Sequence, residues 1–277
     1  MRLDSLPINP RVLGHIAVNV FRESVRDKVL YNLVLFAVVL IAASYLIGQL
    51  TAGQEIKIIK DLGLAATSIF GLFIAVFIGI GLVSKEVERR SIYSLLTKPI
   101  RRHEFILGKY LGLVLTLLVN VGVMTIALYA VLGYMAWQEG YWWRPGVERP
   151  AVDPLLLKAV ALIFLELMLI TAIALFFSSF SSPILSAAFT FGLSIVGHFN
   201  ADLKNFEAVI ASRPAAYLAR ALYYLLPNLA PFDVKSEVVH AVPVPAAYML
   251  YTASYAGVYI AALLLAATII FVKRDFK

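Results

Sequence analysis

The sequence predicts an all-α integral membrane protein with six transmembrane helices, on three observations: its composition, the length of its apolar runs and the sidedness of its charges. Of 277 residues, 61% are hydrophobic and 15% charged, and the mean hydropathy is +0.85. A soluble domain runs at roughly 45–50% apolar and 25% charged. Apolar runs of crossing length recur along the chain, since about 20 residues at ~1.5 Å rise cross a ~30 Å hydrocarbon layer. The net charge of +7 is gathered in particular connecting stretches, which reads as topology and not as nucleic-acid binding. The chain has no cysteine, so disulfides, thiolate metal sites and a cysteine nucleophile are excluded.

Within the first 21 residues no continuous apolar core precedes a small-residue cleavage site, so the first span is expected to direct insertion itself. Asn9 followed by Pro10 is a helix start: an N-cap residue, then the one helical position where a missing N–H costs nothing. Across residues 9–28, Arg11, His15, Asn19, Arg22 and Arg26 recur every three or four residues. Leu13, Ile16, Ala17, Val20 and Phe21 occupy another side. A basic amphipathic helix just before a span predicts an interfacial elbow helix. The alternative, a helix exposed to water, would leave its apolar stripe unsatisfied.

Residues 29–50 form the first span, without charge. Residues 52–61 read as a short loop in which Glu55, Lys57, Lys60 and Asp61 cancel. Residues 62–83 form the second span, and the third lies within 105–137, with Lys109 near enough to its start to snorkel to the headgroups. Residues 138–153, with Gly, Pro and the pair Trp142 and Trp143, have the composition of a headgroup-level loop. The fourth and fifth spans, 154–177 and 183–199, are joined by the uncharged 178–182 as an antiparallel hairpin, and the sixth occupies 247–272 before a basic tail.

Residues 200–246 are too long for a turn and too broken by charge and proline to span. Within them 214–226 reads as a helix with Ser212 or Arg213 as its cap and Pro227 as its stop, reaching only about 20 Å. It is expected as a re-entrant or interfacial helix, with a loop helix in water as the alternative. With the N-terminus cytoplasmic, that face carries 15 basic and seven acidic residues, while the other carries nine of each. The positive-inside rule then predicts an N-in, C-in chain.

The one long hydrophilic stretch inside this frame is 84–109, placed on the cytoplasmic side between the second and third spans with a net charge of +4. Ile92, Leu95 and Leu96 have helical spacing, Glu86, Glu88, Arg89 and Arg90 precede them, and Lys98-Pro99 ends the pattern. An amphipathic helix presented on a loop suits a groove on a partner; the alternative is contact with anionic lipid of the inner leaflet. Gly108-Lys109 is not a phosphate-binding loop, because His103 and Tyr110 stand where Gly and Ser or Thr are required. His103-Glu104 is not a zincin motif, since Leu107 replaces the second His. His15, His198 and His240 are far apart without ligand spacing, so no metal site is expected.

Inside the spans, Gly63, Thr67, Gly71, Ala75 and Gly79 form an every-fourth-residue ridge on the second, and Gly108, Gly112 and Thr116 begin one on the third. Such ridges let helices approach closely, within one subunit by expectation or against a second copy. Phe70, Phe73 and Phe77 either line an apolar path or face lipid. Glu166 is the lone acid inside a span. It is a candidate to contact a polar substrate or carry a proton, with a structural hydrogen bond to Ser or Thr on a neighbouring helix, or a neutral buried acid, as the alternative.

The run E-V-E-R-R-S-I-Y-S-L-L-T-K-P-I-R-R-H-E-F-I-L-G-K-Y-L-G closely resembles the first cytoplasmic loop of type-2 ABC transporter permeases, and the elbow helix, six spans and tight fourth-to-fifth hairpin extend the resemblance over the chain. F-R-E-S-V-R-D-K-V-L-Y-N further resembles the multicopper-enzyme maturation permeases, whose best-known members serve nitrous oxide reductase assembly. The resemblance implies a permease subunit of an exporter in a prokaryotic cytoplasmic (inner) membrane. Its partners would be a second permease copy or paralogue, two cytoplasmic ATPase subunits holding ATP and Mg, membrane lipid and an extracytoplasmic accessory protein.

By that resemblance 84–104 is the coupling loop, in which Glu86, Glu88, Arg89, Arg90, Ile92, Tyr93, Leu95, Leu96, Lys98, Pro99, Arg101 and Arg102 meet the ATPase. Arg11, His15, Arg22 and Arg26 mark the elbow as a second contact. The chain itself is then no enzyme and binds no cofactor directly. Two other classes stand beside this reading. A secondary transporter or channel calls for more intramembrane charge than Glu166 and for repeats not found in the sequence. A non-transporting mechanotransmitter or anchor would use the same ATPase without substrate flux.

Overall fold

The structure, a computed structural model, describes residues 9–51, 53–88, 102–139, 151–199 and 226–273; at 82–88, 102, 139 and 272–273 it describes the backbone alone. Every regular element among the described residues is helical. Helix α1 spans Pro10–Val25, α2 Lys28–Gln49, α3 Glu55–Glu88, α4 Arg102–Glu139, α5 Leu156–Ser178 and α6 Pro183–His198. A 3-10 turn at Ala230–Phe232 and the short α7, Lys235–Val239, lead to α8, Ala246–Lys273. Helices α2, α3, α4, α5 and α8 are each long and apolar enough to cross a membrane. Helix α6, with 16 residues, extends only about 24 Å and falls short of a full crossing.

The stretch 52–61 departs from the expected loop, because α3 already begins at Glu55. Gly53, at φ +80°, turns the chain there, a conformation costly for any residue with a Cβ, and its N–H donates to Glu55 Oε1 at 2.9 Å. With the turn complete by Gln54, the apolar Ile56 and Ile59 can pack on α2, where a Cβ on Gly48 would lie 3.2 Å from Ile59. Backbone hydrogen bonding favours carrying the helix through these residues, and Lys60 and Asp61 become part of it. Helices α3 and α4, at 34 and 38 residues, measure about 51 and 57 Å. Both exceed the ~30 Å hydrocarbon layer and run toward the 84–104 stretch.

Helix α5 is the centre. It packs on α3, α4, α6 and α8, and Leu162, Ile163, Leu167, Ile170 and Ile173 are buried along it. The glycine ridge of α3 faces inward: a Cβ on Gly63 would strike Leu128 of α4, one on Gly71 would strike Leu167 of α5, and one on Gly79 would lie 3.2 Å from Ala174. The ridge therefore serves packing within one subunit. The ridge of α4 serves a different neighbour. A Cβ on Gly108 would come within 2.7 Å of Ile16, and one on Gly112 within 2.6 Å of the Ala17 carbonyl and the Val20 side chain, both on α1.

The apolar stripe of α1 thus lies on the first turns of α4 instead of being left for lipid alone, and Val20 and Ser24 are buried there. Asn9 caps α1 by accepting from the Arg11 N–H at 3.1 Å. Its own N–H donates to Glu104 Oε1 at 3.0 Å, fixing the start of α1 to the start of α4. Because Gly112 meets backbone while Gly122 has open space around it, Gly112→Val is expected to destabilise the purified protein by about 1–3 kcal/mol through overpacking. Gly122→Val is expected to leave thermal unfolding unchanged.

Candidate functional site

Of the residues assigned to partner coupling, Arg89, Arg90, Ile92, Tyr93, Leu95, Leu96, Lys98, Pro99 and Arg101 lie outside the described residues. Glu86 and Glu88 fall on the last turn of α3 and Arg102 opens α4, with only their backbones described. The elbow residues are placed. Arg11, His15, Arg22 and Arg26 are all exposed, on the side of α1 opposite the Ile16, Ala17 and Val20 face that meets α4. Lys109 does not snorkel outward: it is 2% exposed, with its ammonium 4.6 Å from the centre of the Phe105 ring. Phe105 in turn stacks on Phe271 of α8 at 5.8 Å.

The aromatic residues suggested for a path divide. Phe73 and Phe77 stack on each other at 6.1 Å and both meet Phe191 of α6, at 5.5 and 6.0 Å. Phe77 remains half exposed, whereas Phe70 packs partly buried against the core. Phe73 and Phe77 therefore belong to the seam between α3 and α6.

Among the described residues the partner of Glu166 is a histidine, not a serine or threonine. Its Oε1 lies 3.2 Å from Nε2 of His198, with side-chain exposures of 4% for Glu166 and 31% for His198. Helix α6 supplies this partner through a polar face repeating every fourth residue: Ser186, Thr190 and Ser194 are buried and His198 ends the series. Thr190 Oγ1 donates to the Ser186 carbonyl at 2.7 Å and Ser194 Oγ to the Thr190 carbonyl at 2.8 Å. Thr190 and Ser194, satisfied by their own helix in this way, carry no unpaired donor into an apolar setting, whereas the buried Ser186 Oγ has no partner among the described residues. His198 Nδ1 lies 2.9 Å from the Ser194 carbonyl.

The C-terminal end of α6 is held by the segment before α7. The Leu229 N–H donates to the Gly197 carbonyl at 2.9 Å, and a Cβ on Gly197 would meet the Pro227 carbonyl at 2.9 Å and Leu229 at 2.8 Å. Leu229, Phe232, Val234 and Val238 are buried. The described part of the 200–246 loop is thus packed inward, while residues 214–225 of the expected re-entrant helix lie outside the described residues. The Asn228 N–H donates to Tyr255 Oη at 2.7 Å and Tyr248 Oη donates to the Pro231 carbonyl at 2.7 Å, tying the segment to α8.

A second buried pair lies just before the first residue of α5. Lys60 Nζ of α3 is 3.3 Å from Asp153 Oδ2, with side-chain exposures of 3% and 6%. Asp153 Oδ1 also accepts from the Leu155 N–H at 2.9 Å, and the Asp153 carbonyl accepts from Tyr129 Oη of α4 at 2.8 Å. One residue therefore gathers the ends of α3, α4 and α5.

Neither pair was visible as a pair in the sequence, because its members are 93 and 32 positions apart. The available signal was the Ser186, Thr190, Ser194, His198 spacing, which places a polar face on an apolar helix joined to that of Glu166 by a tight hairpin. Among the described residues no cluster of three or more His, Asp or Glu could hold a metal ion.

Asp153→Asn keeps an acceptor for Leu155 but removes the charge beside Lys60, and is expected to cost up to about 3–5 kcal/mol in unfolding of the purified protein. Lys60→Met combined with Asp153→Asn is expected to cost less than Asp153→Asn alone, because neither charge is then left in the interior. Losses that simply add in this cycle would show that the pair is not coupled.

No curated protein matches the chain. A family model described as ABC-2 family transporter protein matches residues 15–276, a range that holds the five crossing helices, α6 and the larger part of α1. The chain belongs to the ABC-2 family of transporter proteins, as a multi-pass membrane component and not as the ATPase.

Proposed function

We propose that this chain is the permease subunit of an ATP-driven exporter, moving a substrate or transmitting force across a prokaryotic cytoplasmic (inner) membrane while separate ATPase subunits hydrolyse ATP. The observation that carries the reading is the ABC-2 family match over residues 15–276. The complex is two permease copies or paralogues with two cytoplasmic ATPases that hold ATP and Mg, and with an extracytoplasmic accessory protein where the maturation-permease resemblance applies. Topology is six-span, N-in and C-in, with α6 completing its crossing together with the segment that holds its end.

Two geometric features support the coupling role. Helices α3 and α4 extend well beyond a hydrocarbon layer toward residues 89–101, so a push on that stretch acts on two long rigid levers. Helix α1 is bound to the base of α4 through Asn9 and Glu104 and the Gly108 and Gly112 notches, leaving Arg11, His15, Arg22 and Arg26 exposed for a second contact or for anionic lipid. Residues Glu86 to Arg102 take the ATPase contact, with Ile92, Leu95 and Leu96 as the apolar face.

Affinity purification of the full chain from its native membrane is expected to recover an ATPase with a phosphate-binding loop. Leu95→Asp, which places a charge on the apolar face, is expected to abolish that recovery without lowering the amount of permease in the membrane. Undiminished ATPase recovery with Leu95→Asp would remove this face from the contact.

A further inference from the structure

We propose that Glu166 and His198 form a proton-binding site that fastens the end of α6 to α5 when occupied and releases it when empty. The inference follows from counting donors. A backbone carbonyl only accepts, so the 2.9 Å contact of His198 Nδ1 with the Ser194 carbonyl requires a proton on Nδ1. A neutral imidazole carries a single ring proton, so Nε2 is then a bare acceptor. It lies 3.2 Å from Glu166 Oε1, where a second proton must sit between them, on the carboxyl or on the ring. Without that proton two acceptors, the Ser194 carbonyl and the Glu166 carboxylate, compete for one ring N–H, and one anchor is lost.

The surroundings fit a site that exchanges protons from one side. Glu166 is sealed in the interior while His198 is partly exposed, beside the 226–239 segment that closes over Gly197. The charged groups acting on His198 are Glu166 on α5 and Lys235 at the start of α7; among the described residues α3, α4 and α8 supply none. Lys235 is itself paired with Asp233 at 3.4 Å. The mechanical consequence is local: α6 contacts α5 and α3, so freeing its end loosens the seam that carries Phe73, Phe77 and Phe191. Raising the pH empties the site and releases the anchor; lowering it restores both contacts.

The absence of native cysteine allows a direct test on the full chain in lipid nanodiscs. Spin labels on Leu157→Cys and Ile195→Cys, at positions 54% and 59% exposed near the adjoining ends of α5 and α6, report their separation from about pH 5 to about pH 9, a range that brackets ordinary imidazole titration. The labelled chain is expected to lose most of a narrow distance population as pH rises. Glu166→Gln supplies an amide N–H that donates to Nε2 at every pH, and is expected to keep that population narrow throughout. His198→Gln, whose amide donates to the carboxylate, does the same without titrating, so either variant decides the matter if the other fails to fold. A separation independent of pH in the labelled chain, or one that titrates equally in the Gln variants, overturns the proposal.

Discussion

The close approach of α3 to α5 is the contact on which the rest of the structure depends. Lipid tails are as apolar as leucine, so helices in a bilayer gain little from hiding apolar surface and associate through tight packing and polar contacts. Gly71 leaves the notch that Leu167 fills, and Gly79 admits Ala174. With α3 drawn against it on one side, α5 has α4, α6 and α8 on the others and becomes a core helix inside a membrane protein. Its apolar side chains do not point to a ligand; they set the spacing at which other helices can present theirs.

That spacing determines where polar groups survive. Charges in an apolar interior persist when paired, and removing one partner costs more than the pair contributes. Both pairs, Glu166 with His198 and Lys60 with Asp153, join α5 or its leading residue to a neighbouring element. They differ in kind. The Asp153 carboxylate also accepts from the Leu155 N–H just before α5, and its backbone carbonyl accepts from Tyr129, so the residue sits in a network with other fixed duties. The Glu166 contact hangs on a histidine at the last turn of a short helix, where among the described residues the Leu229 hydrogen bond and local packing hold the chain. A pair in such a place is suited to change, whereas the Asp153 network is suited to hold.

The same economy of contacts governs α1. A basic amphipathic helix has no fixed place at a bilayer surface, but Gly108 and Gly112 remove the side chains that would keep α1 from α4, and Glu104 takes the N–H of Asn9. The result is that α1 is packed and hydrogen-bonded onto the base of α4. A force applied to either is felt at the base of a helix about 57 Å long, and Phe105 passes the contact on to Phe271 of α8.

Much of this was legible in the chain. Apolar runs of crossing length specify helices because every backbone N–H and C=O in hydrocarbon must be satisfied within its own segment, so α2, α5 and α8 fall within a few residues of their expected limits. The glycine period on α3 carried its own meaning. Charge is a poor guide to boundaries here: α3 already begins at Glu55 and carries Lys60, which Asp153 accompanies in the interior; Lys109 lies within its expected span but turns inward onto Phe105 instead of outward to the headgroups. What the sequence by itself determined was the helical class, the membrane setting and the presence of an intramembrane acid. Only the tertiary structure decided what that acid meets, because spacing along a helix sets which residues share a face, whereas the rotation and depth at which two helices pack set which faces meet.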